Sequence, residues 1–579
     1  MGGKFQGATR GFILLFATLL FLSGTRLHAQ ANSSLTGTIT DQQGAVMVGV
    51  DVTLANPATG FSVAAKSNET GVYSFNNIPP GDNYSLTFTR DGFRTLSLNR
   101  VILSVDNKET RNVSLELGDT KTTVEVTASA GETLNTTDAS VGTVVQGDVV
   151  QDLPSLFVNN AALYLELAPG VMQPTNQAAD GEGSVTGSRS DQTNVTLDGL
   201  DVNDQRNGQA FVSSVNTPLD SIQELKTTVA GGDSTFGTSA GGQLELVTKS
   251  GTNNFHGQAF DFNRVTALAA NDYFNNLQGI PNPQLIRNQF GGDLGGPIVK
   301  NKAYFFFSYN GLRQTSGFEE NQVVPLAALR NGQLNYVDTG GNQVTTPLTG
   351  PNSLQQLDPA KIGADPALLS FFNTRPYPIS NNLAVGDGIN TGGFFFTAPT
   401  HRKDNVFVGR LDYQISTNHR LFARATFDRS NDDDDINHVI QQLPGDPAPG
   451  ASIIDHSRSW VVGDTWVISP DKTNQISFGQ TTSVIGFQVN QAPTSPNFLN
   501  FFFNGNQISA PFLSPGGQFP TVPVYQARDT FTWVRGKHTI QLGGVIKPVI
   551  FKSGNLTDIN TFSIGLGGNV GNLPATSFP

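Results

Sequence analysis

The chain has 579 residues, 37% hydrophobic and 14% charged, and its 35 Lys and Arg against 47 Asp and Glu leave a net charge of −12. That acidic balance, with no basic stripe to neutralise phosphates, excludes nucleic acid as a partner. The absence of Cys excludes disulfides, thiolate catalysis and Cys-ligated metals together. A mean hydropathy of −0.19 suits a soluble protein. It suits a membrane barrel equally, because only every second strand residue of a barrel faces lipid.

Residues 1–31 read as a signal peptide. Lys4 and Arg10 supply a basic start, Gly11 to Leu22 an apolar run, and Ala29 and Ala31 small residues for cleavage. No later segment reads as a spanning helix, so any membrane span must be made of strands.

Residues 32–118 form a first unit of short β runs punctuated by Gly and Pro turns. Leu35 to Thr40 and Val50 to Leu54 flank Asp41-Gln42-Gln43-Gly44. Gly71 to Phe75 and Tyr84 to Phe88 flank Ile78-Pro79-Pro80-Gly81. This spacing predicts a small β-sandwich. Gly37, Asp41, Gly44, Gly71, Tyr73, Phe75, Pro80, Gly81, Tyr84, Gly92 and Phe93 resemble the carboxypeptidase-regulatory-like domain. The resemblance implies a seven-stranded sandwich of carbohydrate-binding-like fold and no peptidase activity, and such a fold does not by itself establish sugar binding.

Residues 119–132 are a linker of small and Thr-rich sequence. Within it Thr123, Val124, Glu125, Val126 and Thr127 form a β-prone pentapeptide. Its backbone is expected to be unpaired and free to add to the sheet edge of another protein. The other reading is an ordinary linker strand.

Residues 133–252 are mixed in character. Leu153-Pro154 and Ala161 to Leu167 suggest a short helix stopped at Pro169-Gly170. Asn194 to Gly199 is a strand entering an Asp-Gly turn, and Ile222 onward and Gln243 to Thr248 are strands. The interior is rich in Thr, Asn, Gly and Ser, too polar for an ordinary core but suited to a polar lumen that supplies hydrogen-bond partners. The run Ser221 to Gly257 resembles the end of the plug and the first barrel strand of TonB-dependent outer-membrane receptors, in particular the Oar-like subgroup. Val247-Thr248-Lys249-Ser250-Gly251-Thr252-Asn253 carries most of the likeness, with Leu153-Pro154, Leu167 to Val171 and Leu197-Asp198-Gly199 placed where plug motifs belong.

Residues 253–579 alternate tight joins with long polar excursions. The joins are Lys300 to Lys302, Ser416 to His419, Ser469 to Lys472 and Arg535 to Lys537. The excursions run from Arg264 to Ile286, Gln314 to Arg402, Ser430 to His456 and Val489 to Tyr525. Short turns on one rim and long loops on the other are the layout of an outer-membrane β-barrel, short rim to the periplasm. The period of two places Leu421, Ala423, Ala425 and Phe427 toward lipid, and Phe422, Arg424, Thr426 and Asp428 inward. Phe407, Gly409, Leu411, Tyr413 and Ile415 likewise alternate with Val408, Arg410, Asp412 and Gln414, and Ile540, Leu542, Gly544 and Ile546 with Gln541, Gly543, Val545 and Lys547. Trp460 to Val467 does not resolve, because Val461 and Val462 compete for the outward face. The count is roughly nine strands, against about 22 in transporters of this type. The chain is therefore expected to be a fragment, a truncated product or one piece of a split gene. The expected fold is mainly β: a β-sandwich, a small α+β plug and the first part of an incomplete antiparallel transmembrane barrel.

No enzyme constellation appears. The seven His make no metal-ligand pair, and neither a phosphate-binding loop nor a nucleophile elbow is present. Asp432 to Asp435 with His438, Asp455 and His456 offer oxygen ligands for Ca²⁺, but read more simply as a solvated acidic loop. Asp198, Asp201 and Asp204 read as turn residues rather than ligands. Phe371, Phe372, Phe394, Phe395 and Phe396 read as a loop mini-core or aromatic girdle. The resemblance implies a transporter with no catalytic residue, metal or cofactor. In it the energy-transducing protein TonB docks at Thr123 to Thr127, the barrel contacts outer-membrane lipid, and the long loops take an external carbohydrate, peptide or protein. Two other readings stay open: an adhesion protein that binds surface carbohydrate and uses the barrel as an anchor, and a protein-export channel.

Overall fold

The computed structural model describes residues 33–552 and 561–565 except for 106, 119–122, 128–139, 147–148, 150–160, 162–163, 165–167, 173–182, 207, 209–211, 233–239, 354–357, 363–377, 434–450, 490–497, 504–505, 509–516 and 537. The signal peptide, the helix expected over Ala161 to Leu167, Asp434, Asp435, His438, Phe371 and Phe372 lie wholly or mostly outside the described residues.

The first unit is a two-sheet sandwich. Its strands are β1 (Ser33–Asp41), β2 (Asp51–Asn56), β3 (Phe61–Lys66), β4 (Val72–Ile78), β5 (Gly81–Thr89), β6 (Thr95–Leu103), β7 (Lys108–Thr110) and β8 (Val113–Leu115). β4, β1, β7 and β8 make one sheet, and β3-β2-β5-β6 run through the other. β7 and β8 both lie parallel to β1 and together act as one strand interrupted at Arg111 and Asn112. Counted so, the seven expected strands are present. The alternation of β1 puts Leu35 and Ile39 into a core with Val52, Leu54, Tyr73, Phe75, Leu86 and Phe88. Gly37 is required at the seam: a Cβ there would lie 1.9 Å from the Arg111 carbonyl oxygen.

The backbone of Thr123–Thr127, β9, was expected to be free. It instead forms the outer strand of the second sheet, parallel to β6, with Thr95 opposite Thr123 and Asn99 opposite Thr127. The cause is local. Arg94 N–H donates to the Glu116 carbonyl (2.8 Å) and Gly118 N–H to the Gly92 carbonyl (3.1 Å), which delivers the chain to the start of the open edge of β6. An open strand edge is a template for the next extended segment.

The inner unit follows: β10 (Val141–Gln146), β11 (Val171–Met172), β12 (Ser184–Val185), β13 (Asn194–Leu197), β14 (Leu200–Asp201), β15 (Ile222–Ala230) and β16 (Gln243–Thr248). Its main sheet has the order β10-β15-β16-β13-β14. β13 and β14 form a tight hairpin through Asp198 (φ 50°) and Gly199 (φ 77°), the two positive φ angles that a type I′ turn demands. Ala161, Tyr164, Val195, Leu197, Ile222, Leu225, Leu244 and Leu246 make a small apolar core. Around it Thr196, Thr217, Ser221, Thr227, Thr248 and Asp204 are buried polar groups.

A long antiparallel meander encloses this unit. Its strands are β17 (His256–Val265), β18 (Leu285–Val299), β19 (Ala303–Pro325), β22 (Thr391–Ser416), β23 (His419–Asp433), β24 (Ala451–Asp455), β25 (Arg458–Ser469), β26 (Lys472–Val489), β29 (Gly517–Gln518), β30 (Thr521–Arg535) and β31 (His538–Ile546); β20 (Gln333–Val337) and β21 (Gln343–Pro347) make a side hairpin, and β27 (Phe498–Phe503), β28 (Asn506–Ile508) and β32 (Thr561–Gly565) a separate small sheet in which β27 and β32 are parallel. The sheet path runs β17-β18-β19-β22-β23-β24-β26-β30-β31, with β25 between β23 and β26. All four tight joins fall where the sequence places them. Asn301 (φ 58°) and Gly536 (φ 63°) supply the left-handed turn residues at two of them.

The two central strands follow the expected alternation. Val408, Arg410, Phe422, Arg424, Thr426 and Asp428 are buried, while Phe407, Leu411, Tyr413, Ile415 and Phe427 are exposed. β25 is also resolved: Val461 is buried against Leu200 and Phe422, and Val462 is exposed. β31 is exposed along both faces, so burial does not discriminate its alternation.

The excursion expected from Gln314 to Arg402 is corrected. β19 and β22 stay paired out to Pro325 and Thr391, so Phe394, Phe395 and Phe396 lie in a strand rather than a loop. At 26 residues β22 is far longer than the roughly 9–11 residues that cross a bilayer. The outer part of this hairpin therefore stands clear of the lipid.

Candidate functional site

Inward-facing arginines on a barrel wall need counter-charges, because an unpaired buried charge is costly. Arg410 on β22 and Arg424 on β23 face each other in register, and both side chains are almost wholly buried. Their shared partner is Asp198 at the tip of the β13–β14 hairpin, itself 1% exposed. Arg410 Nη1 donates to Asp198 Oδ1 (3.2 Å), and Arg424 Nε donates to Oδ2 (3.2 Å). Thr248 completes the carboxylate, its backbone N–H reaching Oδ1 (3.0 Å) and its hydroxyl Oδ2 (2.9 Å). Arg410 also grips Asp412 through two bonds of 3.0 Å, so two cations meet two carboxylates. Arg424 Nη2 donates to the Leu197 carbonyl (2.9 Å), and Arg424 also bonds Ser459.

The rest of the hairpin is held the same way. Asp201 pairs with Lys547. Its N–H donates to Gln526 Oε1 (2.9 Å), and Gln526 Nε2 donates to the Gly199 carbonyl (2.8 Å). The Thr481 hydroxyl donates to the Asp201 carbonyl (2.8 Å). Leu200 packs into the wall beside Gly479, where a Cβ would come within 2.8 Å of it. Further around, Asp220 accepts from Ser308 (2.5 Å) and Asn310 (3.1 Å), Asn216 donates to Asp428 (2.5 Å), and Lys249 pairs with Asp293. Burial holds the Asp220 carboxyl above the usual range even with these donors.

Asp198 and Asp201 are thus anchors of the inner unit to the wall as well as turn residues. Asp204 does local work: its carboxylate accepts the Arg206 N–H (2.9 Å). Sequence reasoning missed the anchors and took these acids only as turn residues; inward Arg residues call for buried counter-charges, but nothing local names partners 212 and 226 positions away.

The sandwich packs against the rim of short turns. Asn77 Nδ2 donates to Thr473 Oγ1 (2.6 Å), Arg420 Nη2 to the Asn77 carbonyl (3.1 Å), the Tyr304 hydroxyl to the Thr59 carbonyl (2.5 Å), and Asn253 N–H to the Ala58 carbonyl (2.8 Å). Arg420 stacks over Phe61, 5.3 Å from the ring centre. The sandwich also reaches the inner unit itself: Val105 N–H donates to Glu224 Oε1 (3.0 Å). Burial pushes the Glu224 carboxyl up to about 7, against the pull of the Val105 N–H and the Ser104 side chain. A cavity of about 500 Å³ remains where sandwich, inner unit and rim meet, lined by Tyr84, Glu224, Thr248, Asp412 and Arg420 among others. Among the described residues no group of three or more His, Cys, Asp or Glu is arranged to hold a metal, and no helix is long and apolar enough to cross a membrane.

The outer membrane beta barrel domain family matches residues 247–572, more than half of the chain, and the carboxypeptidase regulatory-like domain family matches residues 34–116. The chain belongs to the outer-membrane β-barrel family. It is a homologue of the TonB-dependent transporter Oar of Myxococcus xanthus, 27% identical over 309 residues, which is 51% of this chain and 28% of that protein. Among solved structures it is similar to the outer membrane transporter YddB of Escherichia coli (10% identity, TM-score 0.45, 74% of this chain and 50% of that one). It is similar also to the ferripyoverdine receptor of Pseudomonas aeruginosa (10% identity, TM-score 0.39, 73% and 44%). The chain spans about a quarter of the length of the curated relative and about half of the solved transporters. It is an outer-membrane barrel protein.

Proposed function

We propose that this chain serves TonB-dependent outer-membrane transport of a large ligand, an oligosaccharide, peptide or protein. The inner unit is the plug. The long loops and the outward end of the β19–β22 hairpin capture the ligand, and TonB engages Thr123 to Thr127 from the periplasm. The observation that carries this reading is the hairpin anchored by Asp198 between Arg410 and Arg424. It is a polar stopper seated in a polar lumen, held by bonds that water can replace. An anchor for an adhesin has no need of a separable stopper, and an apolar core would serve it better. No covalent chemistry is asked of any side chain. Coupling requires that the partner bind one state of the plug better than another, since a ligand shifts an equilibrium only by its differential affinity.

The test is uptake by cells that carry the gene for this protein with Thr123 to Thr127 deleted. Cells are offered a panel of labelled oligosaccharides, peptides and proteins. Surface binding retained with internalisation lost supports transport. Surface binding with no internalisation in the parent supports the adhesion reading, and internalisation unchanged by the deletion overturns docking at this segment. Outward movement of a labelled periplasmic protein that depends on the same segment would instead indicate export.

A further inference from the structure

The segment Thr123–Thr127 lies on the sandwich, and that placement says how a partner meets it. β9 is the last strand of the sheet β3-β2-β5-β6-β9, and among the described residues nothing pairs with its outer edge. A partner strand has two routes. It can replace β6, losing one five-residue ladder to gain another. Or it can add to the outer edge of β9 and gain a ladder while losing none. Addition is the more favourable, because each backbone group left unpaired in the exchange has to find water or another partner.

The sandwich is in turn fastened to the barrel. Asn77 bonds Thr473 and Arg420, Ala58 bonds Asn253, and Val105 bonds Glu224 of the inner unit. A pull on β9 therefore passes through β6 into the sandwich, and from there to the rim and to β15. We propose that the partner's strand joins the outer edge of β9 as a sixth strand while β9 stays on β6, so that the sandwich is the handle through which force reaches the plug. This rests on the reading of Thr123 to Thr127 as the docking segment.

The chain has no Cys, so an introduced pair can react only with itself. Ser97 and Glu125 are opposite in the β6–β9 register, and neighbouring strands lie about 4.8 Å apart, within reach of a disulfide. The S97C/E125C full chain, oxidised and then reduced, is titrated with the purified periplasmic domain of TonB. The inference expects a disulfide to form under mild oxidation and the affinity of the oxidised form to stay within about twofold of the reduced form. A loss of about tenfold or more on oxidation, restored by reductant, would show that the partner displaces β6 and would overturn it. Failure of the disulfide to form would overturn it as well, because β9 would then not reside on β6. A separate chain lacking residues 123–127 tests the underlying reading. If TonB binds that chain as tightly as the parent, the docking segment lies elsewhere, whatever the disulfide result.

Discussion

Asp198 shows how much of this molecule turns on single side chains. Four donors converge on its carboxylate, two of them guanidinium groups with almost no exposure. Asp198→Ala leaves two buried cations short of one counter-charge, and losing one partner of a buried pair costs roughly 3–5 kcal/mol. The expected result is faster amide exchange across β13 to β16, with the sandwich core unchanged. Asp198→Asn keeps the acceptor for Thr248 and is expected to lie between the two. Glu224 gives a pH dependence. Its carboxyl sits at about 7 when covered by the sandwich, above its ordinary 4.5, so docking favours the protonated form. That contribution is complete below the ordinary value and is lost as pH rises through the raised one. Protection of the Val105 amide, corrected for intrinsic exchange, should fall between about pH 5 and about pH 8, and Glu224→Gln should flatten the change. Neither residue's role was legible in the sequence. The Asp-Gly pair announces its turn because φ is a local matter, whereas Arg410 and Arg424 lie 212 and 226 positions away.

At the scale of elements, the strands that could be read were those with one face forced by charge. β22 and β23 carry Arg410, Asp412, Arg424 and Asp428 on the inward side, so their register had one solution. β25 has no charge among Trp460 to Val462, and only the packing of Val461 on Leu200 and Phe422 decides it. Val462→Arg is accordingly expected to cost about 2–4 kcal/mol near the middle of the bilayer, read as reduced folding yield into lipid vesicles, with Val462→Leu near neutral. The extent of β19 and β22 was missed because polar strand residues outside the lipid look like loop residues in sequence. The pairing of β9 with β6 was missed because it depends on where Gly118 leaves the chain. In the sandwich, Gly37→Ala would drive a Cβ into the Arg111 carbonyl. It should destabilise the β1–β7–β8 seam by about 1–3 kcal/mol, seen as faster exchange at Thr36 and Thr38 while β5 and β6 hold.

For the whole molecule, three layers follow from one contrast of solvents. Hydrocarbon outside and polar groups inside set the alternation of the long strands. A polar lumen lets a Thr- and Asn-rich unit be stable where a water-soluble domain would need a greasier core. The rim of short turns then offers backbone groups and an Arg to the sandwich, which closes the assembly from below. The order of these layers was readable from composition and turn spacing. Their fastenings were not, because each joins residues hundreds of positions apart. The measurement that tests this most directly is a nitroxide scan of single Cys substitutions from Leu421 to Asp428 in lipid vesicles, free of background because the chain has no Cys. Oxygen, which concentrates in hydrocarbon, should reach labels at 421, 423, 425 and 427, while labels at 422, 424, 426 and 428 should be shielded from it. Accessibility to a water-soluble quencher at every position, with no period of two, would contradict the account.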